Sequence, residues 1–173
     1  MRGREAPPPG TNAEPALRTI AARPLTAAAF APFGEVLEAA GESDRLINQG
    51  LCARFHDRAA LDFRGGRAGL SVFRAVPRAL PYRLVMIERH PDGSQAFVPM
   101  TADPFLVIAA EGPGAEPRAF LTDGAQGVNL RRGTWHGVLT PLSGPGLFAV
   151  VDRIGPGANL EEHWYEDPWT VTA

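Results

Sequence analysis

A chain of 173 residues with net charge −2, 45% hydrophobic and 21% charged residues has the size and composition of one globular domain. The pI near 6.1 argues against the strongly basic face of a nucleic-acid binder, and no apolar run reaches the ~20 residues of a membrane-spanning helix. All 17 basic residues are Arg, which excludes lysine Schiff-base chemistry, and the lone Cys52 excludes an internal disulfide. A single thiol suits a reducing cytoplasm, and Cys52 is expected as a small core residue.

Residues 1–18, rich in Pro, Ala and charge, read as a disordered tail, and 19–173 as one domain. Thr19 to Ala22 predicts a short strand, and Thr26 caps a one- or two-turn helix that Pro32 and Gly34 end. Glu35 to Ala39 is a strand, and Leu46 to Phe55 is a broken extended stretch around Asn48-Gln49-Gly50. His56 to Gly66 is a loop or a single helical turn. Gly69 to Val76 alternates, with Leu70, Val72, Arg74 and Val76 forming an apolar face that is expected to be buried. Pro104 to Ala110, apolar almost throughout, predicts a strand buried on both faces. Arg118 to Thr122 and Gly127 to Leu130 flank Asp123-Gly124 and predict a hairpin. Leu147 to Arg153 is a further strand, and Asn159 to Trp164 a last strand or turn. Many short strands, 19 Gly, 17 Pro and almost no helical period predict an all-β sandwich or closed barrel, mostly antiparallel, with few short helices.

The chemistry gathers in the middle of the chain. Tyr82 to His90 is a predicted strand with Tyr82, Leu84, Met86, Glu88 and His90 on one parity, so Glu88 and His90 project together at its end. Pro91-Asp92-Gly93 supplies a turn in which Pro presets φ and Gly tolerates φ > 0. The chain then resumes with Gln95, Phe97 and Pro99 on one face. A carboxylate, an imidazole and an amide oxygen thus surround one turn, as a metal or a small polar substrate requires. Farther on stands Gly133-Thr134-Trp135-His136.

Glu88-x-His90-x4-Gln95 followed by Gly133-x-x-His136 resembles the two motifs of the cupin barrels, with Glu88 in place of the first His and Gln95 in place of the Glu. The resemblance implies a cupin-type double-stranded β-helix, or jelly-roll, barrel in which these four side chains converge. It narrows further. Phe30-Ala31-Pro32-Phe33-Gly34-Glu35-Val36, Ile47-Asn48-Gln49-Gly50, Phe55-His56-Asp57, Glu88-Arg89-His90-Pro91, Ser94 to Met100, Gln126-Gly127-Val128-Asn129 and Trp135-His136 are similar to motifs of the ureidoglycolate lyase family. Gly137 stands where some members carry a second His, and the last twenty residues match no motif.

That family resemblance implies a carbon–nitrogen lyase of purine and allantoin degradation that splits ureidoglycolate into glyoxylate and urea, and a homodimer paired through sheet edges. His90 and His136 are then metal ligands or general bases, and Glu88 a ligand or an acid–base group. Gln95 is a neutral ligand or a hydrogen-bond donor to substrate. The set Glu88, His90, Gln95 and His136 suits Ni, Mn, Fe or Zn, and binding of substrate without a metal is the alternative. Arg74, on its expected buried face, is the candidate for the substrate carboxylate, the other reading being a structural ion pair; Asn48 and Ser71 are further polar contacts. Trp135 should face away from His136, His56 beside Asp57 reads as structural, and His163 as terminal packing. A metal-dependent cupin oxygenase or isomerase, and a non-catalytic small-acid-binding cupin, are the competing readings.

Overall fold

The computed structural model describes residues 17–173. The expected tail therefore lies outside the described residues up to position 16, while Arg18 already belongs to the first strand. The elements are β1 (Arg18–Pro24), α1 (Ala27–Phe30), β2 (Gly34–Leu37), β3 (Arg45–Ile47), β4 (Cys52–Arg54), β5 (Arg67–Arg74), β6 (Tyr82–Arg89), β7 (Gln95–Pro99) and β8 (Phe105–Ala110), then β9 (Arg118–Leu121), β10 (Gly127–Leu130), β11 (Trp135–His136), β12 (Thr140–Pro141), β13 (Leu147–Ile154) and β14 (Glu161–Thr172). Thr26 caps α1 as its sequence predicts: its Oγ1 accepts from Ala29 N at 3.2 Å.

Two large sheets form the architecture. One runs β11-β6-β14-β1-β9-β8-β12, and a pairing of β11 with β8 closes six of its strands into a ring. The other runs β2-β10-β7-β13-β5. The all-β prediction holds, and a closed barrel of this kind is consistent with a cupin-type fold. Most pairings are antiparallel, but β1 lies parallel to both β14 and β9.

The ring encloses one core, to which Ile20, Leu84, Ile87, Leu106, Ile108, Ala119, Trp169 and Val171 contribute. A second core fills the space between the ring and the five-stranded sheet, built from Phe30, Phe33, Phe97, Phe105, Val107, Phe120, Val128, Leu130, Phe148 and Val150. Strand β8 divides the two. Leu106, Ile108 and Ala110 enter the ring while Phe105, Val107 and Ala109 enter the inter-sheet core, so every residue of β8 is buried. This explains its continuous apolar sequence. Burial contributes roughly 1.5–3 kcal/mol for each large apolar side chain, which makes these two cores the principal stabilisation.

Three sequence expectations are overturned. Asp123-Gly124 does not close a hairpin, because β9 pairs with β1 and β8 while β10 pairs with β2 and β7. The turn carries the chain from one sheet to the other, a long-range choice that turn chemistry does not encode. The face holding Leu70, Val72, Arg74 and Val76 is not buried: Leu70 is 75% and Val72 66% exposed, and Arg74 is exposed too. β5 is the edge of its sheet and offers only its other face to the core. Cys52 is exposed rather than internal, because β3 and β4 form a separate two-stranded hairpin. The Asn48-Gln49-Gly50 turn of that hairpin has φ of 51°, 59° and 87°, the left-handed region that Asn and Gly tolerate best.

Candidate metal and catalytic site

The site sits at one end of the inter-sheet space, where the β6–β7 turn meets β11 and β13. In β6, Leu84 and Ile87 both enter the ring core, so strict two-residue alternation is broken, opposite an irregularity in β14 between Trp164 and Trp169. With Ile87 turned into the ring, its neighbour Glu88 faces the opposite way. His136 lies directly across the ladder from Glu88, and directly opposed residues share a face.

His90 follows β6 and is fixed by backbone bonds. Its carbonyl accepts from Gly133 N at 2.9 Å. The turn after it is held from two sides: Asp92 N donates to Asn159 Oδ1 at 2.8 Å, while Arg64 N donates to Asp92 O and Ser94 N to Asp62 O, each at 2.8 Å. Gly93 is required by space. A Cβ there would come within 2.7 Å of Arg153 Cβ.

The two imidazoles are oriented alike. His90 Nδ1 lies 2.7 Å from Asn159 O, and His136 Nδ1 lies 3.0 Å from Gly137 O. A carbonyl only accepts, so each Nδ1 carries the proton and each Nε2 of the neutral ring holds a lone pair. Both Nε2 atoms are buried and have no hydrogen-bond partner among the described residues. The rings stand 5.4 Å apart, and ligand atoms of Glu88, His90 and His136 all lie within 4.8 Å of one another.

Burial also fixes the charge of His136. His136 is 2% exposed, beside Phe97, Phe105, Leu130 and Leu139. Burial pushes its pKa down from 6.5 to about 4, so the ring is neutral at pH 7. Burial raises the Glu88 pKa, the neighbouring His90 pulls it back, and Glu162, across the ladder on β14, adds to the rise.

Gln95 opens β7 with its side chain buried between the sheets, and its Oε1 also has no partner among the described residues. Asp152 of β13, which the sequence reading passed over, shows the same property at Oδ1. The only clue to Asp152 in the sequence is its parity with Phe148 and Val150. Two imidazole lone pairs and the Glu88 carboxylate thus lie close together, with the unpartnered acceptors Gln95 Oε1 and Asp152 Oδ1 buried nearby. Such a set fits a divalent cation, and backbone carbonyls fixing the far side of each imidazole are the usual support for metal-ligating histidines.

The other predicted residues are placed apart from the cluster. Ser71 pairs with Val150 on the inner face of β5 and is half-buried. Arg74 pairs with Leu147, five residues along β13 from Asp152, or roughly 17 Å at the strand rise, and on the exposed face. Its assignment to a substrate carboxylate within the same chain therefore loses its premise. Asn48 is exposed in the β3–β4 turn. Trp135 faces away from His136, as its position in the strand predicts, and packs edge-on with His163, which in turn meets Tyr165. His56 is in exposed polar contacts: its backbone N–H donates to Asp44 Oδ2 at 2.9 Å and its Nδ1 lies 2.8 Å from an Arg54 nitrogen. A side chain at Gly137 would meet Ile108 and Leu84 in the ring core, so a histidine there would point away from the cluster. A larger surface hollow of about 450 Å³, lined in part by Arg23, Ala29, Glu116 and Arg118, shares no residue with it.

An all-β chain with a closed ring, a packed second sheet and an imidazole–carboxylate cluster between them is of the cupin type. Residues 17–172 match the sequence family described as ureidoglycolate lyase, and the chain belongs to that family. It is 59% identical over 144 residues to the ureidoglycolate lyase of Rhodobacter capsulatus, covering 81% of this chain and 89% of that protein. It is 50% identical over 158 residues to that of Mesorhizobium japonicum (88% and 96% covered) and 49% over 160 residues to that of a Chelativorans species (90% and 97% covered).

Proposed function

We propose that this chain is a ureidoglycolate lyase, releasing glyoxylate and urea in purine and allantoin breakdown. The observation that carries the proposal is the pair of unpartnered Nε2 atoms of His90 and His136 beside the Glu88 carboxylate, in a member of this family. The reaction collapses a carbinolamide. The substrate hydroxyl loses its proton, a C=O bond forms from that oxygen, the C–N bond breaks, and the departing nitrogen takes up a proton to give urea. Nε2 of His90 and of His136 are unpartnered acceptors in neighbouring rings, as removal of the hydroxyl proton requires. Glu88, with its pKa raised by burial, suits return of a proton to the leaving nitrogen. Gln95 and Ser71 line the inner faces of β7 and β5 and are proposed as polar contacts to the substrate.

We further propose that Glu88, His90 and His136, with Gln95 as a neutral ligand, hold Ni, Mn, Fe or Zn. Such an ion would supply Lewis-acid stabilisation of the ionised hydroxyl. In that case the two imidazole Nε2 lone pairs would be taken up in holding the ion, and proton transfer would fall to the Glu88 carboxylate oxygen left free of it. Glyoxylate release from ureidoglycolate, measured with and without prior chelation, tests both statements. Release abolished by chelation and restored by one divalent ion is the expected result. Release that survives verified metal removal would leave the lyase and assign the proton to the imidazoles. No release above the spontaneous rate, in folded and metal-replete protein, would overturn the function.

The protein is further proposed to act as a cytoplasmic homodimer. The exposed free Cys52 suits a reducing compartment. The outer face of the five-stranded sheet supports pairing: Val72 and Val98 flank Ala149 across the ladder, and Leu70 and Met100 extend an exposed apolar surface at the β5 edge. Light scattering should give twice the monomer mass, and a monomer mass at micromolar concentration would remove the claim.

A further inference from the structure

Near the cluster lies one buried carboxylate oxygen that neither sequence motif supplies, Asp152 Oδ1. Phe148 and Val150 of β13 are buried in the inter-sheet core, so Asp152, on the same parity, is directed toward the same space. β13 pairs with β7 through Val151 opposite Ala96, and the next step of that register sets Asp152 across from Gln95. On its other side Asp152 pairs with Gly69, where a Cβ would stand 3.6 Å from Asp152 Oδ1. Burial raises the Asp152 pKa, while the nearby His90 and hydrogen bonding by Gln95 pull it back. Its Oδ1 is buried without a partner among the described residues, as is Gln95 Oε1.

These observations divide the work within the pair. An amide has two donors on nitrogen and an acceptor on oxygen, whereas a carboxylate only accepts. Facing a carboxylate, Gln95 must present its Nε2, which turns Oε1 away from Asp152. Without that neighbour the amide could flip, and a donor would then face the imidazole lone pairs.

We infer that Asp152 is a positioning residue of the site: it accepts from Gln95 Nε2, sets the amide so that Oε1 joins the acceptor cluster, and adds a second carboxylate that favours a cation there. The inference rests on the site reading proposed above. Asp152 acts through Gln95 and through charge, and touches no substrate atom.

A double-mutant cycle on the full chain tests it. Mn²⁺ affinity is measured by calorimetry and turnover by glyoxylate release, for wild type, Asp152→Ala, Asp152→Asn, Gln95→Ala and the Gln95→Ala/Asp152→Ala pair. Asp152→Ala should weaken Mn²⁺ binding by about tenfold to a hundredfold and lower kcat with little change in KM, the usual cost of losing a residue that orients a ligand. Asp152→Asn keeps an acceptor and the shape, so it should lose less. In the Gln95→Ala background the further cost of Asp152→Ala should shrink to the residue's charge effect, severalfold at most, because the amide it positions is gone. Wild-type affinity and turnover in both single variants at Asp152 would overturn the inference. So would an undiminished cost in the Gln95→Ala background, which would make Asp152 an independent participant. If wild type itself binds no Mn²⁺, Ni²⁺, Fe²⁺ or Zn²⁺, the metal reading fails, and the same cycle read in kcat alone still decides whether Asp152 acts through Gln95.

Discussion

Replacing His136 with alanine should lower glyoxylate release by about 10³-fold or more while the protein remains folded. Nε2 of His136 is one of the two buried, unpartnered imidazole nitrogens of the cluster, and a positioned acid–base group alone contributes ~10²–10⁴-fold. Where His136 serves as a ligand, its removal leaves one imidazole and one carboxylate in the three-residue set, too few to hold the ion firmly. The fold should survive because β11 is two residues long and neither core depends on it alone. Truncating a buried side chain of this size costs about 1–3 kcal/mol. Circular dichroism and the thermal midpoint separate the two effects. Turnover near wild type in a folded variant would remove His136 from the site.

The second large effect is a pH dependence of stability. Burial holds the His136 pKa at about 4 against an ordinary 6.5. Between those values the unfolded chain binds a proton that the folded chain refuses, so stability falls as pH drops through this window, and the loss is complete below about pH 4. A difference of this size is worth roughly 3 kcal/mol. Glu88 and Asp152 act in the opposite sense. Their pKa values are raised, so the folded state gains protons more readily than the unfolded one, and acidification toward the carboxylate range relieves their burial cost. Comparing metal-free wild type with His136→Gln isolates the histidine. Urea unfolding at pH 7.5 and 3.5 should show wild type losing roughly 3 kcal/mol more than the variant. If the two proteins track each other to within about 0.5 kcal/mol, the burial account of His136 is wrong.

These effects arise at residues that were legible in the chain to different degrees. Glu88, His90 and Gln95 cluster around one turn, and local strand geometry with the Pro-Asp-Gly turn is enough to bring them together. His136 joins them only through the pairing of β11 with β6, which the motif resemblance implied and the ladder now explains. Asp152 carries no motif. It comes to lie opposite Gln95 because β13 pairs with β7, two segments far apart in the chain, and its parity with Phe148 and Val150 marks an inward face but not a site. Arg74 shows the converse. Its strand alternates as predicted, but which face meets the core depends on what packs there, and β5 is a sheet edge with its apolar face outward.

By itself the sequence determined the all-β class, the positions of most strands, the cap of α1, the doubly buried β8 and the family. Each is written in local chemistry: alternation, continuous apolar runs, turn residues and short motifs. Only the tertiary structure decided that β9 and β10 belong to different sheets, that β1 runs parallel to its neighbours, that the β5 stripe faces outward, and that Asp152 stands next to Gln95 across the β13–β7 ladder. The physical reason is common to all four. Strand pairing and burial are set by partners distant in the chain, and the energy that selects one partner over another comes from filling two cores at once rather than from any segment's own preference.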